Sequence, residues 1–158
     1  MTELLKLLEN DARLSPEALA LMLQKEVGDI KTMIENYEKN GIILGYHTEI
    51  DWDKTDREYV TALIELKIVP QRDRGYDHVA QKIYNYPEVE SLYLMSGGFD
   101  LAVFIRGKTM REVAFFVAEK LATLEDVTST ATHFVLRKYK DNNVIYGSAP
   151  VDERGCEF

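Results

Sequence analysis

Apolar positions in the first forty residues recur at helical spacing in three short blocks. Leu4, Leu5, Leu7 and Leu8 share one side, with Lys6, Glu9 and Asn10 on the other, which predicts an amphipathic helix over residues 3–12. Asn10-Asp11-Ala12-Arg13 ends it. Ser15-Pro16-Glu17 carries the marks of a helix start: a hydroxyl cap, proline at the first helical position and an acid in the first turn. Leu19, Ala20, Met22 and Leu23 give that helix its stripe, and Gly28-Asp29 reads as the break behind it. Ile30, Met33, Ile34 and Tyr37 form a third stripe, closed by Asn40-Gly41. Three short helices, the last two joined tightly, make a helix-turn-helix arrangement, a spacing that plain bundles also adopt. Residues 42–50 then read as an extended strand.

From residue 59 the pattern alternates. Val60, Ala62, Ile64, Leu66 and Ile68 oppose Thr61, Leu63, Glu65 and Lys67, a strand with one wholly apolar face. After a charged loop (Pro70 to Gly75), Tyr76, Val79, Ala80 and Ile83 mark a helix stopped by Pro87. Ser91 to Ile105 is a hairpin: two runs of apolar and aromatic residues around Ser96-Gly97-Gly98. Thr109 to Leu124 is a second helix, with Met110, Val113, Ala114, Val117 and Leu121 inward, and Thr128 to Tyr139 a fourth strand. The order β-α-β-β-α-β is the ferredoxin-like split unit. Helices cover one sheet face. The other would carry Thr61, Leu63, Tyr93, Met95, Phe104 and Val135, too apolar to stay wet, so a second copy of the chain is the expected cover.

The hairpin is where chemistry concentrates. Gly97 and Gly98 leave backbone N–H groups uncovered, and Asp100 sets a carboxylate beside them. One reading is a plain turn with an Asx-type hydrogen bond. The other is a cradle for both charged ends of a small zwitterion.

Charge changes the picture of the first third. Residues 1–58 hold 7 Lys and Arg against 13 Asp and Glu, a net of −6 out of −8 for the 158-residue chain. No apolar run approaches the ~20 residues that span a bilayer, and Met1-Thr2-Glu3 leads straight into an acid-bearing helix, so no membrane segment or secretory signal is expected. The single cysteine, Cys156, excludes an internal disulfide and fits a cytoplasmic setting. His47, His78 and His133 share no ligand spacing, and no nucleophile motif, phosphate loop or dinucleotide fingerprint occurs. No metal, cofactor or enzymatic activity is expected.

The Ser-Pro-Glu-x-Leu-Ala second helix, the third helix running into Tyr-Glu-x-x-Gly-Ile-Ile, and the following Gly-Tyr resemble the DNA-binding half of the Lrp/AsnC (leucine-responsive, feast/famine) transcriptional regulators. Tyr-Leu-Met-Ser-Gly-Gly-Phe-Asp-Leu stands where that family has a Gly-x-x-Asp hairpin, and Thr130-Ala131-Thr132-His133-Phe134-Val135-Leu136 is similar to its last strand. The resemblance covers residues 3 to about 140. It implies an α+β chain: an N-terminal winged-type helix-turn-helix domain (1–50), a linker (51–58), a C-terminal ferredoxin-like βαββαβ sensing and oligomerisation domain, called RAM (59–140), and a tail (141–158) without a counterpart.

The resemblance further implies a regulator that binds double-stranded DNA through its third helix and an amino acid or related small effector near the hairpin, between dimers of a larger ring. The expected assembly is a homodimer, with an octamer of four dimers as the larger form. Effector candidates are Ser96, Gly97, Gly98 and Asp100, with Thr130 and Thr132 as side walls; within the family pattern only Gly97 and Asp100 carry over directly. DNA candidates are Lys25, Val27, Gly28, Lys31, Thr32 and Asn36. The departure lies in the third helix. Glu26 stands at its cap, and Thr32, Met33, Glu35 and Asn36 occupy positions where basic residues are frequent. From Glu26 to Asn40 two lysines face four acids, which subtract from phosphate attraction. The alternative is therefore a ligand-binding assembly protein whose acidic first domain has weakened or lost direct DNA binding.

Overall fold

The computed structural model describes residues 2–69 and 75–147, in two compact units that divide between residues 50 and 51. The first holds α1 (Thr2–Asn10), α2 (Pro16–Leu23) and α3 (Val27–Lys39). Ser15 caps α2 by accepting the Ala18 N–H at 3.2 Å, as its Ser-Pro-Glu start requires. Leu4, Leu8, Leu19, Ala20, Ile30 and Tyr37 are buried together as the core of the three helices.

The break between α2 and α3 is not at Gly28-Asp29. It falls at Gln24, which adopts the left-handed conformation (φ 52°), so that the Lys25 N–H reaches back to the Ala20 carbonyl at 3.0 Å. A helix stop made without glycine leaves little trace in the sequence. Gly28 and Asp29 consequently lie in the first turn of α3, and α2 and α3 are joined by the three residues a helix-turn-helix uses. Residues 42–50 were expected as a strand, and they pair with no ladder among the described residues. Only Ile43 of their apolar side chains packs on the helical core, and the others stay outside, Leu44 being 92% exposed. A strand needs a hydrogen-bonding neighbour as well as the right residues, and this segment finds none within the described chain.

The second unit is a four-stranded antiparallel sheet of β1 (Val60–Ile68), β2 (Val89–Leu94), β3 (Leu101–Gly107) and β4 (Val127–Phe134), in the order β2-β3-β1-β4. That is the ferredoxin-like order, and α4 (Asp77–Tyr84) and α5 (Met110–Phe116) lie on its apolar face. Ala62, Ile64, Leu66 and Ile68 from β1 and Leu101, Val103 and Ile105 from β3 are all buried there, in the alternation read from the sequence. β2 carries one extra residue: Val89 stands opposite Ile105 and Ser91 opposite Phe104. This bulge lets both Val89 and Leu92 face the helices although three positions separate them.

α5 departs from a regular helix. Thr109 caps it by accepting the Glu112 N–H at 3.1 Å, while the Glu112 carboxylate accepts the Lys108 N–H, one residue before the cap. After Phe116 the chain widens into a π-helical turn, Val117–Leu121. The inward set is Val113, Phe116, Val117 and Leu121. Met110 and Ala114, both expected inside, are exposed.

The fourth strand ends at Phe134 instead of Tyr139. Beyond it, β5 (Lys140–Asp141) and β6 (Val144–Ile145) close a small hairpin over Asn142 and Asn143, both at positive φ (41° and 65°). The first residues of the tail are thus ordered by a mirror-image turn; residues 148–158 lie outside the described set. The sheet face away from the helices presents Leu63 and Phe104, half-buried, and the exposed Tyr93, Met95 and Val135. Tyr93 meets the Phe104 ring edge-on at 6.2 Å, and together they shield Ala102 beneath them.

Candidate effector site and nucleic-acid face

The hairpin tip between β2 and β3 is pinned from inside by Asp100. Its N–H donates to the Leu66 carbonyl at 2.9 Å and its own carbonyl accepts the Met95 N–H at 2.8 Å, closing the loop on itself and on β1. Its carboxylate is also engaged. Oδ2 accepts the Ile68 N–H at 2.8 Å, where the β1–β4 register slips, and Oδ1 accepts the Tyr76 hydroxyl at 3.2 Å. The Tyr76 phenol is shifted up from its ordinary range by burial first and by the Asp100 charge and hydrogen bond after that.

The tip itself is open. Gly97 has φ +148°, a conformation that favours glycine, and a Cβ at either Gly97 or Gly98 would meet nothing within 4 Å. Ser96, Gly97 and Gly98 are exposed, and among the described residues their N–H groups have no acceptor. Two bare amides thus stand beside a carboxylate that leans towards β1 and Tyr76. Each of its oxygens has a lone pair beyond those two bonds, the direction from which an ammonium could be received.

Thr130 and Thr132 do not join this tip within one chain. The paired row runs Leu94, Leu101, Leu66, Thr130, so β1 stands between the hairpin and Thr130. Two strand spacings make that separation roughly 10 Å. Thr132 stands opposite Ile64, two pairs further along the same edge strand. What the sequence did not reveal is Tyr76: it was readable as an inward helical residue, but its hydroxyl partner lies twenty-four positions away.

α3 turns Ile30 and Tyr37 into the core and leaves Gly28, Thr32 and Asn36 exposed at successive turns, with Lys31 and Glu35 alongside. Lys25, in the preceding turn, is exposed as well. Val27 and Met33 are half-buried against the core, so they anchor the helix and stand off its outer face. Thr32 Oγ1 donates to the Gly28 carbonyl at 3.0 Å, which leaves its oxygen free to accept. Lys31 Nζ lies 3.9 Å from Glu17 Oε1 on α2, an exposed contact easily exchanged for a phosphate. Glu26 occupies the cap position of α3 without a side-chain hydrogen bond.

Among the described residues, no group of three His, Cys, Asp or Glu is placed to hold a metal ion. Nor is any described helix long and apolar enough to cross a membrane.

Comparison with known proteins agrees with this architecture. The family model of the Lrp/AsnC ligand binding domain matches residues 61–145. The chain is 46% identical over 154 residues to the uncharacterised HTH-type transcriptional regulator YugG of Bacillus subtilis, covering 97% of this chain and 93% of that protein. Its fold is similar to the leucine response regulatory protein LrpA of Mycobacterium tuberculosis (TM-score 0.73, 19% identity, 88% and 92% of the two chains). It is also similar to the transcriptional regulator NMB0573 of Neisseria meningitidis, solved as an L-Met complex (TM-score 0.71, 21% identity, 95% and 94%).

Proposed function

The chain belongs to the Lrp/AsnC family of transcriptional regulators, and from that premise we propose that it binds specific double-stranded DNA through α3 and senses a free amino acid at the Ser96–Asp100 hairpin. The observation that carries the sensing half is the open tip: two exposed glycine amides without acceptors, next to a carboxylate. The amides suit an effector carboxylate and Asp100 its ammonium, so one turn answers both signs of a zwitterion. Lys25 and Lys31 are the phosphate contacts, and Thr32 and Asn36 are the side chains that reach base edges.

The working assembly is a homodimer formed over the open sheet face, where Tyr93, Met95 and Phe104 would otherwise meet water. In a larger ring of dimers, Thr130 and Thr132 approach an effector only from a neighbouring copy. The protein acts in the cytoplasm. One observation favours a second reading, an assembly protein with weak direct DNA contact: α3 presents Asp29, Glu35 and Glu38 on exposed positions and begins at an uncapped Glu26.

Selection of bound fragments from genomic DNA at about 50 mM salt, with and without pooled amino acids, decides between the two. Enrichment of discrete fragments that changes with amino acids supports the regulator. Binding of no fragment under either condition overturns it in favour of the assembly protein. Light scattering that returns the 18.2 kDa monomer mass at micromolar concentration would refute the dimer.

A further inference from the structure

Between α4 and β2, beginning at the base of the same hairpin, runs a groove of about 300 Å³. Tyr76, at the cap of α4, and Ala80 and Tyr84, on its following turns, form one wall, and Leu92 and Leu94 of β2 form the other. Two features tie it to the tip. Leu94 and Leu101, the last ladder pair before the turn, both line it, and Tyr76 hydrogen-bonds the carboxylate of Asp100. Its apolar walls are also left partly uncovered: Leu94 is 62% exposed and Tyr84 55%. The charged groups that line it are Asp77 and Glu90, both acidic, and Glu90 is held by Arg106 at 2.9 Å.

We infer that this groove receives the side chain of the effector, and that Ala80 sets which amino acid is accepted. The inference rests on the hairpin being the effector site. A volume at the small end of ligand pockets suits an amino-acid side chain and is too small for a nucleotide. Aromatic and leucyl walls favour a large, uncharged, apolar group, and Asp77 at the rim, where Glu90 is already paired with Arg106, repels an acidic one. Ala80 is the small residue between two tyrosines on the α4 wall, so a larger side chain there fills the space that the effector would occupy. The effector class is accordingly the large aliphatic, thioether and aromatic amino acids, and glycine and aspartate are rejected, the first for want of contact and the second by charge.

The test is calorimetric titration of the full chain with leucine, methionine, phenylalanine, glycine and aspartate, for wild type, Ala80→Phe, Leu94→Ala and Asp100→Asn. Leucine, methionine or phenylalanine should bind wild type most tightly. Ala80→Phe should weaken that binding about ten- to hundred-fold, the cost of losing one buried apolar side chain. Leu94→Ala, which trims only an exposed wall and so guards against misfolding of the first variant, should weaken it several-fold. Asp100→Asn should weaken every amino acid that binds. If the two groove variants leave affinities unchanged while Asp100→Asn lowers them, the groove inference fails and the hairpin reading stands. Aspartate or glycine binding as tightly as leucine also overturns the groove inference. If none of the five amino acids binds wild type, hairpin reading and groove inference fall together.

Discussion

Asp100 is a structural latch before any effector arrives, and Asp100→Ala measures how strong that latch is. The substitution removes the acceptor of the Ile68 N–H, on a residue only 6% exposed, and that of the half-buried Tyr76 hydroxyl. A hydrogen bond to a charged acceptor contributes about 1.5–3 kcal/mol, and stranding a buried N–H costs a comparable amount. These overlap, because both describe the loss of one bond. The phenol can turn to water, so its loss adds at most about 1 kcal/mol. The expected destabilisation is therefore roughly 2–4 kcal/mol, which at a urea slope of about 2 kcal/mol per molar lowers the unfolding midpoint by about 1–2 M.

Asp100→Asn should cost much less. Its amide oxygen can still accept from Ile68 and its NH₂ can donate to the Tyr76 oxygen, so only the charge-assisted part goes, about 1 kcal/mol. Tyr76→Phe isolates the phenol at about 0.5–1.5 kcal/mol. The assay is urea unfolding followed by far-UV circular dichroism, at one fixed protomer concentration because assembly shifts apparent stability. An Asp100→Ala midpoint indistinguishable from wild type would show that the carboxylate does not hold the hairpin to β1. It would also show that the bonds to Ile68 and Tyr76 contribute nothing net.

Other consequences follow from the same geometry. Lys31→Glu should lower DNA affinity on all sequences, whereas Asn36→Ala should relax preference at one base position, as read by competition binding at two salt concentrations. Thr109→Ala should destabilise by about 1 kcal/mol in thermal unfolding, through loss of the α5 cap on the Glu112 N–H. Gln24→Gly should stabilise by a few tenths of a kcal/mol up to about 1, because Gln24 carries a left-handed φ that glycine adopts without strain. Lys120→Met tests a pH response. Lys120 Nζ lies 2.6 Å from Glu88 Oε1 and holds that carboxyl below its ordinary value, so the pair's stability is full above the unfolded pKa and lost as pH falls through the folded one. Removing the ammonium should lower stability at neutral pH and flatten its acid-side dependence in acid titrations followed by fluorescence.

What could be read from the chain depended on whether a feature is local. The alternation of Ala62, Ile64, Leu66 and Ile68 against Thr61, Leu63 and Glu65 states both a strand and its buried face, because pleating alone puts alternate residues on opposite sides. Ser15-Pro16-Glu17 and Thr109-x-x-Glu112 state helix starts for the same reason: cap and partner are three residues apart. Features set by distant partners stayed hidden. The strand expected at residues 42–50 needs a neighbour that the described chain does not supply. On α5 it is Phe116, at helical spacing from the buried Val113, that enters the core, while Ala114 faces out, a choice settled by which side of the helix meets the sheet.

The hairpin shows the same division within a single site. Gly97, Gly98 and Asp100 were legible as a chemical unit because they are neighbours, and the two readings offered for them were a turn with a local hydrogen bond or a zwitterion cradle. The geometry joins parts of both. Asp100 does make a turn-closing bond, yet its carboxylate reaches neither its own loop nor the glycines first; it reaches the Ile68 amide and the Tyr76 hydroxyl. An ammonium arriving at Asp100 therefore competes with, or adds to, bonds that fix the tip to β1. β1 is also the strand whose other face carries Leu63 and the Glu65–His133 contact at 3.3 Å, on the sheet surface open to a second copy. With the proposed effector site and the proposed dimer, effector and assembly would act on the two faces of one strand. If occupancy of the tip alters the Asp100–Ile68 bond and β1 carries that change to its other face, the amino acid shifts the dimerisation constant, and linkage then requires that dimerisation shift amino-acid affinity by the same factor. Sedimentation with and without the bound amino acid measures the first, and titration at two protomer concentrations measures the second. A dimerisation constant unchanged by saturating amino acid would show that β1 does not join the two.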